Sequence, residues 1–301
     1  MKKEVHPEYW DRDARKLIQR ENYAGQALSW MYSSPIGKLF LYGYFATRLH
    51  SWVYRQYKRS PLTKNQALQD IEKYQIDLNE FDIEESDIGS YRDFFLRKFN
   101  QGARPFNDDK DTFSAFAEGF YLGYKNTHED IRFPVKGGYL SAEQILENDE
   151  ISKRFMGGPV LVCRLSPIDY HWFHFPFDGQ LTDAYHRKGK VHAVNLVALR
   201  HKQDIFCTNE RQVNLLYSED FGHLAYVEVG AMGVGRIHQT FNAPSFQRGQ
   251  EKGYFDFGAS TIIVFGEKGR WEPSADIIEH TANERETKVK LGQAVAHRSR
   301  N

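Results

Sequence analysis

From about residue 113 to its end the chain is written in short apolar runs broken by turn residues. Val160-Leu-Val-Cys-Arg164, Tyr226-Val-Glu-Val229 and Thr261-Ile-Ile-Val-Phe265 alternate with stretches rich in Gly, Pro, Asn and Asp. Runs of this length, rich in β-branched and aromatic residues, read as strands and require a sheet-based core. The first third has a different texture. Apolar residues recur at spacings of three and four over 8–32 (Leu17, Tyr23, Ala27, Trp30, Met31), until Ser33-Ser34-Pro35 breaks the run. Residues 36–58 repeat the pattern, and 63–76 read as a short amphipathic helix with Thr63 as its N-cap. The expected class is α+β: a helical N-terminal region over 1–90, then a β-rich, mainly antiparallel domain over 91–301.

Charge narrows the function. Forty Lys and Arg balance forty Asp and Glu. No whole-protein basic field exists, so nucleic acid is not an expected partner. Cys163 and Cys207 lie far apart with no CxxC spacing, which speaks against a disulfide framework and against a thiolate metal site. A run of about 18 apolar residues, the length a membrane-crossing helix needs, is absent from the sequence. The charge is nevertheless unevenly laid out. From Asn22 to Gln69 there is not one Asp or Glu, while the same window holds Lys38, Arg48, Arg55, Lys58, Arg59, Lys64 and ten aromatic residues. A basic, aromatic-rich amphipathic segment is the composition that lies on an anionic membrane surface.

Three segments carry candidate chemistry. His171 and His174 sit in Asp169-Tyr-His-Trp-Phe-His-Phe-Pro176, where the aromatic run and Pro176 argue against a helix that would align both rings on one metal. Gly230-Ala-Met-Gly-Val-Gly-Arg236 lacks the spacing of a dinucleotide loop and reads as glycine-rich strands in close approach. In Phe257-Gly-Ala-Ser-Thr261 a small residue, Ala259, precedes Ser260 at the start of an apolar strand. A serine so placed attacks the preceding carbonyl when the backbone is strained and a base is near.

Order and coverage add to these signals. Tyr91-Arg-Asp-Phe-Phe-Leu-Arg-Lys-Phe99, Gly102-Ala-Arg-Pro105, Val135-Lys-Gly-Gly-Tyr139, Arg164-Leu-Ser-Pro-Ile-Asp-Tyr-His-Trp-Phe-His-Phe-Pro176, Val194-Asn195, Asn209-Glu-Arg211, Gly249-Gln-Glu-Lys-Gly-Tyr-Phe255 and Glu286-Thr-Lys-Val-Lys-Leu-Gly292 follow one another in this order. Over nearly its whole length the chain thereby resembles the phosphatidylserine decarboxylases, self-processing enzymes that carry a pyruvoyl group. The resemblance implies cleavage between Ala259 and Ser260, with Ser260 becoming the pyruvoyl group. His174 matches the base of self-cleavage and His171 the histidine of decarboxylation. Glu118, in Ser114-Ala-Phe-Ala-Glu118-Gly119, takes the place of the family's processing aspartate and would orient His174. Ala259 replaces a glycine, and Trp172 replaces an arginine between the histidines.

The resemblance further implies decarboxylation of phosphatidylserine to phosphatidylethanolamine and CO2 through a Schiff base to the pyruvoyl carbonyl, without pyridoxal phosphate and without a metal. The expected partners are the phospholipid and an anionic membrane surface, with a homodimer compatible. The expected location is peripheral, on the cytoplasmic face of a bacterial-type inner membrane. A pyruvoyl decarboxylase of a soluble amino acid and an unprocessed lipid-binding pseudoenzyme stand as the alternatives.

Overall fold

The structure, a computed structural model, describes residues 8–19, 25–127, 132–135, 138–194, 196–233, 236–257 and 260–299. Its frame is a ten-stranded sheet. Across it run, in spatial order, Ser245–Phe246, Gly179–Arg187, Arg211–Ser218, Gly222–Val229, Ser260–Gly266, Val160–Leu165, Gly119–Tyr124, Glu286–Val289, Glu8–Asp11 and Lys16–Gln19. Neighbours are antiparallel except Glu8–Asp11, which lies parallel to Glu286–Val289. Two three-stranded sheets form further layers. One joins Arg236–Gln239, Glu251–Asp256 and Trp172–His174; the other joins Trp271–Pro273, Ala294–Arg298 and Thr112–Ser114.

The core lies between these layers. Phe173 from one small sheet and Phe113 from the other meet main-sheet residues through Tyr226 and Phe116, with Phe116–Tyr226 ring centroids 5.3 Å apart and Phe173–Tyr226 6.4 Å. The strand Ser260–Gly266 is buried along its whole length. Each of Ile262, Ile263, Val264 and Phe265 contributes about 1.5–3 kcal/mol by leaving water. Within the sheet that holds Glu251–Asp256, neighbouring strands come close at Gly253, where an added Cβ would lie 2.1 Å from the His238 carbonyl oxygen. The glycine-rich 230–236 stretch connects the main sheet to the second layer; Gly233 takes φ +83, and residues 234–235 lie outside the described residues.

The N-terminal third is helical only from Gly25. Helices Gly25–Ser33, Pro35–Phe40, Arg48–Lys58 and Lys64–Lys73 follow, with one wide π-type turn at Leu41–Phe45. The Ser33-Ser34-Pro35 break is physical: Ser34 Oγ accepts from Gly37 N, and Pro35 opens the next helix. Thr63 precedes a helix but caps nothing. Its hydroxyl donates to the Lys58 and Ser60 carbonyls and accepts from Tyr91 N.

The expected helix over 8–19 is corrected. Those residues form a hairpin, Glu8–Asp11 with Lys16–Gln19, turned through Arg15 at φ +49. Their partner is Glu286–Val289, more than 270 residues away, and the Arg12 guanidinium locks the join on Asp276 (2.8 and 2.9 Å) and the Ala294 carbonyl. A distant partner overrides local periodicity. The hairpin also carries chain from before residue 90 into the sheet of the 91–301 region.

Inside the sandwich Lys252 Nζ meets Glu228 Oε1 at 2.6 Å, both side chains fully enclosed. Asn214 Nδ2 donates to the other Glu228 oxygen at 2.7 Å, and Lys252 Nζ also reaches Gln239 Oε1. Burial pushes the Lys252 ammonium down and the Glu228 carboxyl up, and the pair opposes both shifts. Removing one partner strands a buried charge. Lys252→Met alone is therefore expected to cost about 3–5 kcal/mol in urea unfolding, and Lys252→Met with Glu228→Gln markedly less. Equal losses in the single and double variants would show the pair to be uncoupled.

Candidate active site

Ser260 opens the central strand. It pairs with Leu165 on one side, its own strand is flanked by Gly222–Val229 on the other, and its side chain is excluded from solvent. Ala259 and Gly258 lie outside the described residues. Just before them the backbone is strained: Phe257, a bulky buried residue, holds φ +67. Non-glycine residues reach this region at a cost of about 1–3 kcal/mol and stay there only when surroundings impose it. Here a column of rings imposes it. Phe257 stacks on Phe95 (4.7 Å, 24°), and Phe95 stacks on His171 (3.8 Å, 26°).

The two histidines diverge. Trp172–His174 is extended, and residues three apart on a strand point to opposite faces. His171 is fully buried on the Phe95 column, and its carbonyl accepts from Phe255 N. Its Nδ1 lies 2.8 Å from the Asp169 carbonyl. A carbonyl only accepts, so Nδ1 carries the proton and Nε2 is the basic nitrogen. His174 faces elsewhere. Its Nδ1 donates to the Gly249 carbonyl at 2.9 Å, and its Nε2 accepts from the Tyr170 hydroxyl at 3.2 Å. Burial lowers the His174 pKa, against the pull of the Gly249 carbonyl, so the ring is neutral at pH 7. Trp172, between them, donates from its indole to the Leu96 carbonyl (3.0 Å) and packs on Tyr254.

Glu118 is not brought to His174. Arg104 takes both of its oxygens, at 2.7 and 3.1 Å, and Leu291 N donates to it at 3.1 Å. The same Arg104 grips Glu80 through two bonds. Glu118 lines a charged cavity of about 430 Å³ together with Arg97, Arg104, Asp169, Tyr170 and Lys290. Tyr170, which bonds His174 Nε2, lies on the wall of the same cavity. The expected carboxylate–imidazole contact is absent because a buried guanidinium outcompetes a neutral ring for the charge.

Sequence reading missed Arg104, Tyr170, Phe95 and Phe257 as site residues. All four stand within or beside segments that carried the resemblance, but their roles depend on ring stacking and ion pairing across distant segments.

Comparison with known proteins gives the family. The sequence profile of the phosphatidylserine decarboxylase family matches residues 91–297. A phosphatidylserine decarboxylase proenzyme of Clostridium novyi (strain NT) is 37% identical over 282 residues, covering 93% of this chain and 96% of that one. Proenzymes of the same name from Fusobacterium nucleatum (35%, covering 92% and 93%) and Clostridium perfringens strain SM101 (33%, covering 94% and 97%) are similar over the same extent. The chain belongs to the phosphatidylserine decarboxylase family.

The ring column makes a prediction. Phe95→Leu keeps most of the buried volume, at a cost of less than about 1.5 kcal/mol, and removes the stack. Melting should shift by a few degrees only. Self-cleavage, followed on denaturing gels after translation, should slow about tenfold or more. Maturation at the parent rate would show that the stack does not maintain the strain.

Proposed function

We infer that this protein decarboxylates phosphatidylserine to phosphatidylethanolamine and CO2 after cleaving itself at Ser260. Membership of the family supports the reaction, and the observation that carries the assignment is the strained Phe257 backbone leading to a buried serine at the start of a central strand.

Ser260 Oγ attacks the carbonyl carbon of Ala259, and the bond from that carbon to the Ser260 nitrogen breaks, leaving an ester. Loss of the Ser260 α-proton expels the residue-259 carboxylate and leaves dehydroalanine. Water then replaces its nitrogen, releasing ammonia and leaving a terminal pyruvoyl group. The carbonyl of that group supplies the electron sink that loss of CO2 from an amino acid requires. Its seat fits: residue 260 is dry and fixed in the middle of the sheet.

For the proton of Ser260 Oγ, we favour His171. Its basic Nε2 belongs to the ring column that ends at Phe257, whereas Nε2 of His174 is held by Tyr170. His174 then sets the position of Tyr170 and the Gly249 turn. Glu118 acts through Arg104, joining residues 80, 104 and 291 around the cavity.

The region before residue 90 is read as the membrane-docking part, and its helices are inside out. On Arg48–Lys58, Leu49, Trp52, Val53 and Tyr57 face outward, while Ser51 and Lys58 are buried. Among the described residues, eleven of the fourteen exposed large hydrophobic side chains fall between Trp30 and Leu62, with Leu39 at 73% and Leu62 at 82% exposure. Apolar surface gathered in one segment marks an interaction face. The cations contribute less than their number suggests. Lys58 is 2% exposed, bonded to Gln66 and set 3.6 Å over the Tyr91 ring, and burial lowers its pKa to about 8. Arg48 and Arg59 are paired with Glu210 and Asp256. Cations near anionic lipid are worth about 1 kcal/mol each, and fully burying a large apolar side chain about 1.5–3 kcal/mol. The apolar face therefore dominates docking on the cytoplasmic side of a bacterial-type membrane. Among the described residues no helix is long and apolar enough to cross one.

Two experiments test this reading. Denaturing mass spectrometry of the purified protein should give two chains, 1–259 and 260–301, and Ser260→Ala one inactive chain. His171→Ala should block cleavage, and His174→Ala should permit it slowly; the reverse order would return the proton-accepting role to His174. Leu39→Ser with Trp52→Ser should weaken binding to phosphatidylglycerol vesicles at least tenfold at 0.5 M salt, with cleavage intact. Binding abolished by salt alone in the parent protein would make docking electrostatic.

A further inference from the structure

Asp256 ends the strand Glu251–Asp256, fully buried, four residues before Ser260. Cations gather around it from three elements. Arg59 Nη2 lies 3.1 Å from Asp256 Oδ2, and His238 Nε2 3.7 Å from the same oxygen. Arg92 Nε stands 4.0 Å from Oδ1, too far for a hydrogen bond. Arg236 is the direct cross-strand partner of Asp256, and Arg55 lies one helical turn before Arg59.

The balance is lopsided. Arg59 and Arg92 stand at one carboxylate, Arg55 is close enough to feel its charge, and Arg236, exposed, shares its face of the strand pair. Neither Arg55 nor Arg236 has an acidic partner among the described residues, and the Nε atoms of Arg55 and Arg92 are buried without a hydrogen bond. Burial first, then the charges of Arg59 and Arg236, pull the Arg55 guanidinium below its ordinary range, against Asp256. Guanidinium groups held together in a partly dry site, with donors unspent, form a receptor for an anion that accepts forked hydrogen bonds.

The surroundings select the anion. On one side the helix Arg48–Lys58 presents its outward apolar residues Leu49, Trp52 and Val53. On the other, Phe257 and the strained segment lead to Ser260, at most about 14 Å of extended chain from Asp256. A diacyl phospholipid with a serine headgroup has the same order of parts: acyl chains, phosphodiester, then the reacting amine and carboxylate.

We propose that Arg55, Arg59, Arg92 and Arg236 bind the phosphodiester of the lipid headgroup, with Asp256 as the central carboxylate that holds the guanidiniums apart and aimed. This assignment rests on the phosphatidylserine reading above. It gives the enzyme a means to prefer the phospholipid over free serine, which lacks the phosphate.

The test uses soluble ligands, so that membrane docking does not contribute. Arg55→Gln and Arg236→Gln are chosen because neither removes a partner bonded to Asp256. With dihexanoyl phosphatidylserine below its micelle concentration, each variant should raise KM about tenfold or more, the pair more still, with two-chain maturation complete on denaturing gels. Arg55→Lys should fall between parent and Gln. In the full-length Ser260→Ala chain, calorimetry should show glycerophosphoserine binding that both Gln variants weaken by the same factor. An unchanged KM and unchanged glycerophosphoserine binding overturn the subsite. Inorganic phosphate binding as tightly as glycerophosphoserine overturns the headgroup assignment, leaving a general anion site. A parent that binds glycerophosphoserine through these arginines yet turns over no phosphatidylserine refutes the decarboxylase reading and leaves the subsite standing.

Discussion

Everything in this structure depends on where the chain places Ser260: first in a strand hydrogen-bonded on both sides, in the middle of a ten-stranded sheet. On the proposed cleavage before Ser260, neither piece would be freed. The segment after Ser260 supplies two strands to the main sheet, Ser260–Gly266 and Glu286–Val289, each with neighbours from the earlier segment. It also supplies Trp271–Pro273 and Ala294–Arg298 beside Thr112–Ser114. Ladders and buried apolar side chains on both sides hold the new terminus where the peptide bond held it. A strained bond can thus be spent in self-cleavage without loosening the site that cleavage creates.

Strain and rigidity lie on opposite sides of that bond. C-terminal to it the backbone is regular and wholly buried. N-terminal to it Phe257 sits at φ +67 under the Phe95 and His171 rings. A left-handed aromatic residue in solution would relax at once. Here relaxation would have to unstack a buried ring, a loss that works against release of the strain of about 1–3 kcal/mol.

Much of this was legible in the sequence, and the limits have physical causes. The central strands were readable because apolar runs broken by turn residues are local signals, whereas Ser260 stood out only through the ordered family resemblance, since a small residue before a serine is a weak signal alone. The helices from Gly25 to Lys73 were readable because Ser34, Pro35 and Pro61 break them locally. The hairpin over 8–19 was not, because its ordering partner is Glu286–Val289. Nor was the true partner of Glu118. The family resemblance puts a carboxylate beside His174, but only the fold shows Arg104 taking that charge. Lys58 shows the same limit: charge counting puts it on lipid, and burial puts it over the Tyr91 ring.

The helix Arg48–Lys58 then explains how an acid-free segment serves two ends at once. Had its cations faced outward, they would screen in salt over about 8–10 Å and leave the interior neutral. Turned inward, Arg55 is half-buried and the adjoining Arg59, itself exposed, reaches the fully buried Asp256 carboxylate, where charges act more strongly on one another. The apolar residues, displaced outward, would give the proposed docking face an attraction to lipid that salt does not weaken. The absence of Asp and Glu from Asn22 to Gln69 fits both proposed roles: an outward carboxylate would oppose burial in lipid, and an inward one would neutralise the arginines. The acid found in that cluster among the described residues, Asp256, comes instead from the strand that leads to Ser260, tying the cations to the proposed reacting end of the molecule.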